Sequence, residues 1–471
     1  MKKRLLTIMI AFAVLTGCNG TVKETDPSVT QALQVTQGDA ANQTNSLPPV
    51  NDGLTGQNNK KEYVQPKMEG EITISTLLDH EFLTIAADMF MNKYPNVKIK
   101  VNAFLNSSNN LSNENPMENY RSQLNTKIMT GKAEDIILAG HLPIKKYTDM
   151  GAFEDMANYL NQTPEINTDN YFTNVIQAMK NTEGKLYVMP LASSLEIVSF
   201  DKQLVTESNK QLDDNITVMS YEKALDFAKQ LVDTTSRENT YLVHGDGLDI
   251  VNGLLKDSYK KYIDVDNKKA NIDTTQYIAL LQTAKDLAEQ GYFAASGSID
   301  FYNMEFHFAL KSDFEVQAAY YSLVPDSNDY HSIPLSDTDG NVYVNPNLSI
   351  GINSSSNNKE LSWEFIKFLL SDEVQTMPSL YTWLGINKKG FDAAVDRNLK
   401  LFNEGNKETV SKDDYKNLLE SWIMQINAYD PYDPTIDEFL LDEQSKFLGG
   451  KQSAEETARV LQAKIDKYFN E

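Results

Sequence analysis

One thiol, five imidazoles and a few aromatic and acidic pairs carry the chemistry available to this 471-residue chain. The thiol is Cys18, and a single cysteine can make no intramolecular disulfide. It follows the apolar run Leu5 to Leu15 and the small residues Thr16 and Gly17, behind Lys2, Lys3 and Arg4. A nucleophilic sulfur in that place reads as a point of covalent attachment. The histidines are scattered: His80 follows Asp79, His141 follows Gly140, and His244 precedes Gly245 and Asp246. The sequence holds no His-Glu-x-x-His, no Gly-x-Ser-x-Gly and no phosphate-binding glycine loop. A hydrolase built from carboxylates paired in space stays open, because such pairing is invisible in sequence. Tyr429-Asp-Pro-Tyr-Asp-Pro434 is aromatic and acidic, with Asp-Pro turns. Asp430, Asp433 and Asp437 could offer oxygens to calcium, but their spacing is not that of an EF-hand loop. No metal and no cofactor are expected.

The elements that position these residues begin with an export signal: a positive head, an apolar core and a small-residue exit. The apolar segment is too short to span a bilayer comfortably. Leu15-Thr16-Gly17-Cys18 resembles the lipobox of bacterial lipoproteins, which implies a signal at 1–17, diacylglyceryl transfer to the Cys18 sulfur and cleavage before it. Two or more acyl chains hold stably, at about 0.8 kcal/mol per buried methylene. Residues 18–68 are rich in Thr, Gln, Asn, Gly, Pro and Ser. Such a segment buries too little apolar surface to offset its ordering entropy and reads as a tether, with a root-mean-square reach of roughly 40 Å.

The net charge of −23 makes nucleic acid an unfavourable partner and repels anionic lipid, so membrane attachment falls to the lipid alone. Past the signal no run of 18 apolar residues follows. Glu71 to Thr76 alternates as a strand, Asp79 can cap a helix, and Phe82, Ile85, Ala86, Met89 and Phe90 share one helical face. Val97, Ile99 and Val101 alternate again. A second helix runs from about Tyr120 to Met129, and Asp135 to Ala139 is a buried strand. The order strand, helix, strand, helix, strand implies a parallel sheet with covering helices. Strands are expected at Tyr187 to Pro190 and Leu195 to Phe200. A helix starts at Ser220. Asp273 and Gln276 suggest a capping box, as do Ser453 and Glu456. Asp339-Gly340 suggests a hairpin. Leu361 to Leu370 is apolar nearly all round, which buries that helix and Trp363 within it.

Several of these segments, in this order, resemble the extracellular solute-binding proteins of ABC importers, in the carbohydrate-type group. The likeness rests on Phe82 to Pro95, Gly131-Lys-Ala-Glu-Asp135-Ile136, Gly184-Lys-Leu-Tyr-Val-Met-Pro190, Phe200-Asp201-Lys202 and Asn357 to Gln375. It implies an α/β, two-lobe periplasmic-binding-protein-like fold with a three-segment hinge, a Venus flytrap. One lobe would hold 69–197 plus 350–385 and the other 198–349 plus 386–471. The crossings would fall near Leu195 to Phe200, Leu348 to Asn353 and Trp383 to Lys388. The implied function is capture of a small polar solute, an oligosaccharide in this group, and delivery to permease subunits. The protein would be a monomer, lipid-anchored at the outer face of the bacterial cytoplasmic membrane, and not an enzyme. A surface-anchored carbohydrate-active enzyme and a ligand-sensing lipoprotein without transport are the alternatives.

The resemblance also points to contact positions. Asp79 and His80 follow the first strand, and Gly140 and His141 end the third. Ser193 and Ser194 stand at the first crossing, where the family commonly has a carboxylate or amide. His244 and Asp246 lie in a glycine-bearing loop. Tyr320 and Tyr321 stand where a stacking tryptophan is usual; read as a strand, that segment sends only one of them toward the cleft. Trp383, Tyr429 and Tyr432 complete the candidates. A helix cap for Asp79, a solvated loop for His141 and an ordinary turn for His244 and Asp246 remain the alternative roles.

Overall fold

The structure is a computed structural model that describes residues 65–105, 115–166, 168–213, 215–238, 240–243, 247–293, 307–324, 330–345, 348–378, 384–405, 409–429 and 432–470. Cys18, His244, Asp246, Trp383 and Asp430 lie outside them. The first stretch runs β1 (Gly70–Leu78), α1 (Glu81–Lys93), β2 (Val97–Leu105), α2 (Pro116–Met129), β3 (Ile136–Leu138), α3 (Ile144–Asp149), α4 (Ala157–Asn161), α5 (Thr173–Ala178), β4 (Met189–Pro190) and β5 (Ala192–Ser193). Next come β6 (Glu196–Asp201), α6 (Lys202–Glu207), β7 (Met219–Ser220), α7 (Tyr221–Thr234), β8 (Thr240–Val243), α8 (Gly247–Lys256), α9 (Tyr259–Tyr262), β9 (Ile263–Asp264), β10 (Lys269–Ala270) and α10 (Thr275–Glu289). Then follow β11 (His307–Phe314), α11 (Glu315–Leu323), β12 (Tyr330–Ser336), β13 (Val342–Val344) and β14 (Ser349–Ile352). The last part holds α12 (Lys359–Leu369), α13 (Asp372–Gln375), β15 (Leu384–Gly385), α14 (Lys388–Gly405), α15 (Lys412–Ile423), β16 (Ile426–Tyr429), α16 (Pro434–Leu448) and α17 (Ala454–Asn470).

Two five-stranded sheets organise these elements, in the orders β2-β1-β3-β14-β4 and β7-β12-β6-β11-β8. In the first, β1 is parallel to β2 and β3, and β14 is antiparallel to β3 and β4. In the second, β6 is antiparallel to β11 and β12, while β8 follows β11 and β7 follows β12. Each sheet has its own buried cluster. Ile72, Ile74, Phe90, Ile137, Trp363 and Phe365 belong to the first, which also takes in Tyr320, Phe391, Tyr415 and Ile423. Val198, Phe200, Leu231, Tyr277, Phe447 and Leu461 belong to the second. This is the two-lobe α/β fold. The segment expected as the first crossing is β6, and the second is β14. In the third, β15 lies antiparallel to β5, with Leu384 opposite Ser193.

Several local expectations shift. Tyr320 and Tyr321 stand on helix α11, not on a strand, because β11 ends at Phe314 and a helix starts at once. Asp339-Gly340 makes no hairpin: β13 pairs in parallel with β16 instead of folding back on β12. The Asp337 carboxylate closes that turn by accepting from the Asp339 and Asn341 amides. Asp79 does not cap α1; the N-cap is His80, without a side-chain bond. Ile85 is exposed, since the buried face of α1 is Phe82, Leu83, Ala86, Ala87 and Phe90. The cap of α10 is Thr274, one residue after Asp273, its hydroxyl accepting from the Tyr277 amide. At α17 the Ser453 hydroxyl accepts from the Glu456 amide, but the Glu456 carboxylate pairs with Arg459. Helix α2 starts at Pro116, earlier than its apolar pattern, because proline suits the first helical turn. Helix α12 is buried as expected, with the Trp363 indole N–H donating to the Thr163 hydroxyl at 3.1 Å.

Gly351, in the middle of β14, is a packing requirement. A Cβ there would meet the Phe153 ring at 2.6 Å and the Tyr187 carbonyl oxygen at 3.0 Å. The Tyr187 oxygen is backbone just before β4, which pairs with β14, and gives way less easily than the end of a side chain, so Gly351→Ala is expected to destabilise the protein by about 1–3 kcal/mol, read as a lower urea midpoint. An unchanged midpoint would show that β14 can shift in its slot.

Candidate functional site

Because β1 and β3 are parallel neighbours, with Ile74 opposite Ile136, the segments leaving their carboxyl ends emerge on one edge. That edge is where α/β sheets hold ligands. It brings Asp79-His80 beside Gly140-His141. Both imidazoles are half-buried, and burial is the main reason both titrate below the usual histidine value. The Arg121 guanidinium lowers His141 further, and at His80 repulsion from a protonated His141 outweighs the opposing pull of Asp79. Neutral rings present one donor and one acceptor each. The His80 ring meets Phe82 edge-on at 5.9 Å.

Arg121 went unnoticed in the sequence. It stands on α2 next to Tyr120, and its side chain is only 8% exposed. Its Nη2 donates to Glu438 Oε1 on α16 at 2.5 Å, joining an element of the first lobe to one that packs on the second. Nearby, Lys146 Nζ lies 4.0 Å from the centre of the Tyr468 ring on α17. Tyr468 Oη donates to Asp433 Oδ2 at 2.9 Å, and Asp433 caps α16 by accepting from the Thr435 and Ile436 amides. Burial pushes the Asp433 carboxyl up. Asp433 thus serves as a helix cap rather than an outward-facing metal ligand. Tyr147 on α3 is buried, and burial raises its hydroxyl well above the usual tyrosine range.

At the hinge, Ser193 is buried and its hydroxyl donates to the Leu384 carbonyl at 3.2 Å. The Ser194 hydroxyl donates to Glu315 Oε2 at 3.4 Å, and its carbonyl accepts from the Asn345 amide. Glu315 opens α11 and is 3% exposed. Burial lifts its carboxyl to about 7, against the opposing pull of its own amide, Ser194 and the Leu195 amide. Tyr320 is fully buried, its hydroxyl donating to Asn403 Oδ1 at 3.2 Å, while Tyr321 is half-buried and meets Tyr330 edge-on. Tyr429 ends β16, and Tyr432 stacks on Tyr259 at 4.2 Å with Lys256 Nζ 5.3 Å from its ring centre. The Lys256 ammonium pairs with Glu196 at the start of β6. Tyr432, Lys256 and Glu196 therefore gather on the end of the second sheet nearest the hinge.

A cavity of about 340 Å³ opens elsewhere, lined by Lys202, Ser322, Tyr330, His331, Leu418 and Trp422 among others. It runs along β12 from Tyr330 to Pro334 and is walled on its other side by α15, whose Leu419, Trp422 and Ile423 belong to the first cluster. Among the described residues no group of three or more His, Cys, Asp or Glu is arranged to hold a metal. No helix among them is long and apolar enough to cross a membrane.

Residues 86–394 match the family model described as bacterial extracellular solute-binding protein. Among solved structures, an ABC substrate-binding protein of Listeria monocytogenes in complex with cycloalternan is similar at 15% identity. It has a TM-score of 0.54, and the match covers 85% of this chain and 99% of that one. A periplasmic oligogalacturonide binding protein of Yersinia enterocolitica is similar at 14% identity and a TM-score of 0.55, over 85% and 99%. A cyclic alpha-maltosyl-1,6-maltose binding protein of Arthrobacter globiformis is similar at 14% and 0.51, over 85% and 99%. A structure titled as a designed esterase also matches, at 14% and 0.53, over 85% and 98%. Identities this low speak to the fold alone. A search of curated proteins finds no match.

Glu315 makes stability depend on pH. Its folded value of about 7 lies above the ordinary 4.5, so the folded chain holds a proton that the unfolded chain releases. The favourable contribution is complete below about pH 4.5 and is lost as pH rises through 7. Glu315→Gln is expected to flatten the fall in stability across that window, by on the order of 1–3 kcal/mol. Denaturation curves at pH 5 and pH 8 that shift equally in both proteins would refute it.

Proposed function

The chain belongs to the bacterial extracellular solute-binding protein family, and from that premise we propose that it is the substrate-binding lipoprotein of an ABC importer. Its two lobes close on an oligosaccharide and pass it, unaltered, to a membrane permease. The observation that carries this reading is the pair of loop ends on the carboxyl edge of the first sheet, with Asp79 exposed and His80, Gly140 and His141 half-buried, beside a direct link between the lobes at Arg121 and Glu438. Neutral imidazoles and tyrosine hydroxyls suit sugar hydroxyls, which both donate and accept. Tyr432 offers an aromatic surface next to Lys256 and Glu196. Proteins of this fold that bind cycloalternan, oligogalacturonide and cyclic alpha-maltosyl-1,6-maltose support a saccharide over a peptide. Ligand shifts the open and closed populations only by its greater affinity for the closed state.

The tether at 18–68 and the lipid on Cys18 would hold this body near its permease while letting it move. The alternative of a surface enzyme gains no support from the motifs present.

A panel of neutral and acidic oligosaccharides, read by thermal shift and by chromatography of the sugar afterwards, tests the binding role. A true ligand at 100 times its Kd should add about 2.7 kcal/mol of stability and be recovered intact. A converted sugar would establish an enzyme instead. For the anchor, Cys18→Ser is expected to move the chain from the membrane pellet to the soluble fraction and to abolish labelling by a fatty-acid precursor. Retention of the serine variant in the pellet would argue for some other attachment.

A further inference from the structure

Two buried polar groups near the loop ends have no protein partner. Arg121 Nη1 is fully enclosed without an acceptor, although Nη2 of the same guanidinium is bonded to Glu438. Tyr147 Oη is likewise enclosed and unbonded. The elements that carry them meet: Arg121 reaches Glu438 on α16, Asp433 at the start of α16 accepts from Tyr468, and the Tyr468 ring lies under Lys146, the residue before Tyr147. Native proteins rarely leave such donors unmatched, and each is costly unless something completes it.

The counter-charge is unusual too. Arg121 is 8% exposed, while the Glu438 carboxylate that balances it is 47% exposed and comes from the other lobe. Among the described residues the guanidinium bonds through Nη2, to one carboxylate oxygen. A guanidinium fork presents parallel N–H bonds that match both oxygens of a carboxylate, and Glu438 uses half of that capacity. A neutral hydroxyl could fill the Nη1 position but would leave the charge balance to a solvent-exposed side chain.

We propose that Arg121 and Tyr147 form a binding subsite for the carboxylate of an acidic sugar, and that Glu438 occupies the guanidinium until that carboxylate displaces it. This deepens the solute-binding reading above and rests on it. The ligand carboxylate takes Nη1 and Nη2 together and accepts from Tyr147 Oη, with the His141 ring at the rim. Lys146 adds positive charge on the same helix as Tyr147, and Asp433 lies beyond it, bonded to Tyr468.

The test is calorimetric titration of the mature chain with digalacturonate and with galactobiose, its counterpart without carboxylates. Wild type is expected to prefer the acid. Arg121→Gln should weaken the acid by roughly 10- to 100-fold and galactobiose far less. Tyr147→Phe should weaken it by roughly 3- to 10-fold with an unchanged melting temperature, since no protein bond is lost. That combination separates a ligand contact from a structural role, which would lower stability as well. Glu438→Gln should tighten the acid by removing its competitor. Equal or tighter binding of galactobiose, or Tyr147→Phe binding the acid as wild type does, overturns the subsite while leaving a solute-binding protein. Binding of neither sugar overturns the subsite as well, and a separate response to the wider neutral panel then decides the broader reading.

Discussion

Strand β14 lies inside the first sheet with β3 on one edge and β4 on the other, and all four of its residues are buried. No water reaches a strand in that place, so its amides and carbonyls must pair on both sides. It arrives there only after the whole second sheet has been built, since β6 to β12 intervene between β4 and β14. Pairing Ile350 with Leu138 and Ile350 with Met189 ties a late segment to an early one. The outgoing link after β4 and the returning link before β14 then run side by side, and the Asn345 amide donates to the Ser194 carbonyl between them. The second sheet hangs from this pair of links. Its β6 starts at the hinge, and β11 and β12 end there. The carboxyl ends that carry polar loops are thereby gathered around one hinge.

Charge is handled in two different ways around that hinge. The buried acids have backbone donors close at hand. Asp257 accepts from the Tyr221 and Glu222 amides at the start of α7, and Asp433 from the Thr435 and Ile436 amides at the start of α16. Helix starts concentrate unpaired N–H groups and partial positive charge, so an anion is stabilised there by the element it touches. A guanidinium has no such backbone counterpart except scattered carbonyls. Arg121 must borrow a carboxylate from another element, and the one it borrows belongs to the other lobe. In a chain of net charge −23, Arg121 is a buried cation, and its partner Glu438 is half exposed.

Much of the scaffold was readable in advance because periodicity reports burial. Alternation marked β1 and β2, and the apolar run around Trp363 marked α12 as buried. Local turn chemistry was less informative. Asp339-Gly340 has the composition of a hairpin, but hairpin formation needs a partner strand on the right side, and β13 finds β16 instead. Tyr320 and Tyr321 sit between apolar residues that fit either period, and the close of β11 at Phe314 decides for the helix. The loop ends Asp79-His80 and Gly140-His141 were named correctly as neighbours of strand ends, because parallel strands send their loops to one edge.

The sequence by itself determined that the chain alternates helices and strands, that its body is acidic, and that a lone cysteine follows an export-like segment. Those properties depend on residue type and near-neighbour spacing. Only the tertiary structure decided which side chains meet across long separations. Arg121 and Glu438 stand 317 positions apart and Tyr468 and Asp433 lie on successive helices, yet all four gather with Tyr147 in one place. Nothing in the composition of α2 distinguishes Arg121 from a solvated arginine. Its burial follows from the packing of two lobes about a shared hinge, and that packing is a property of the whole chain.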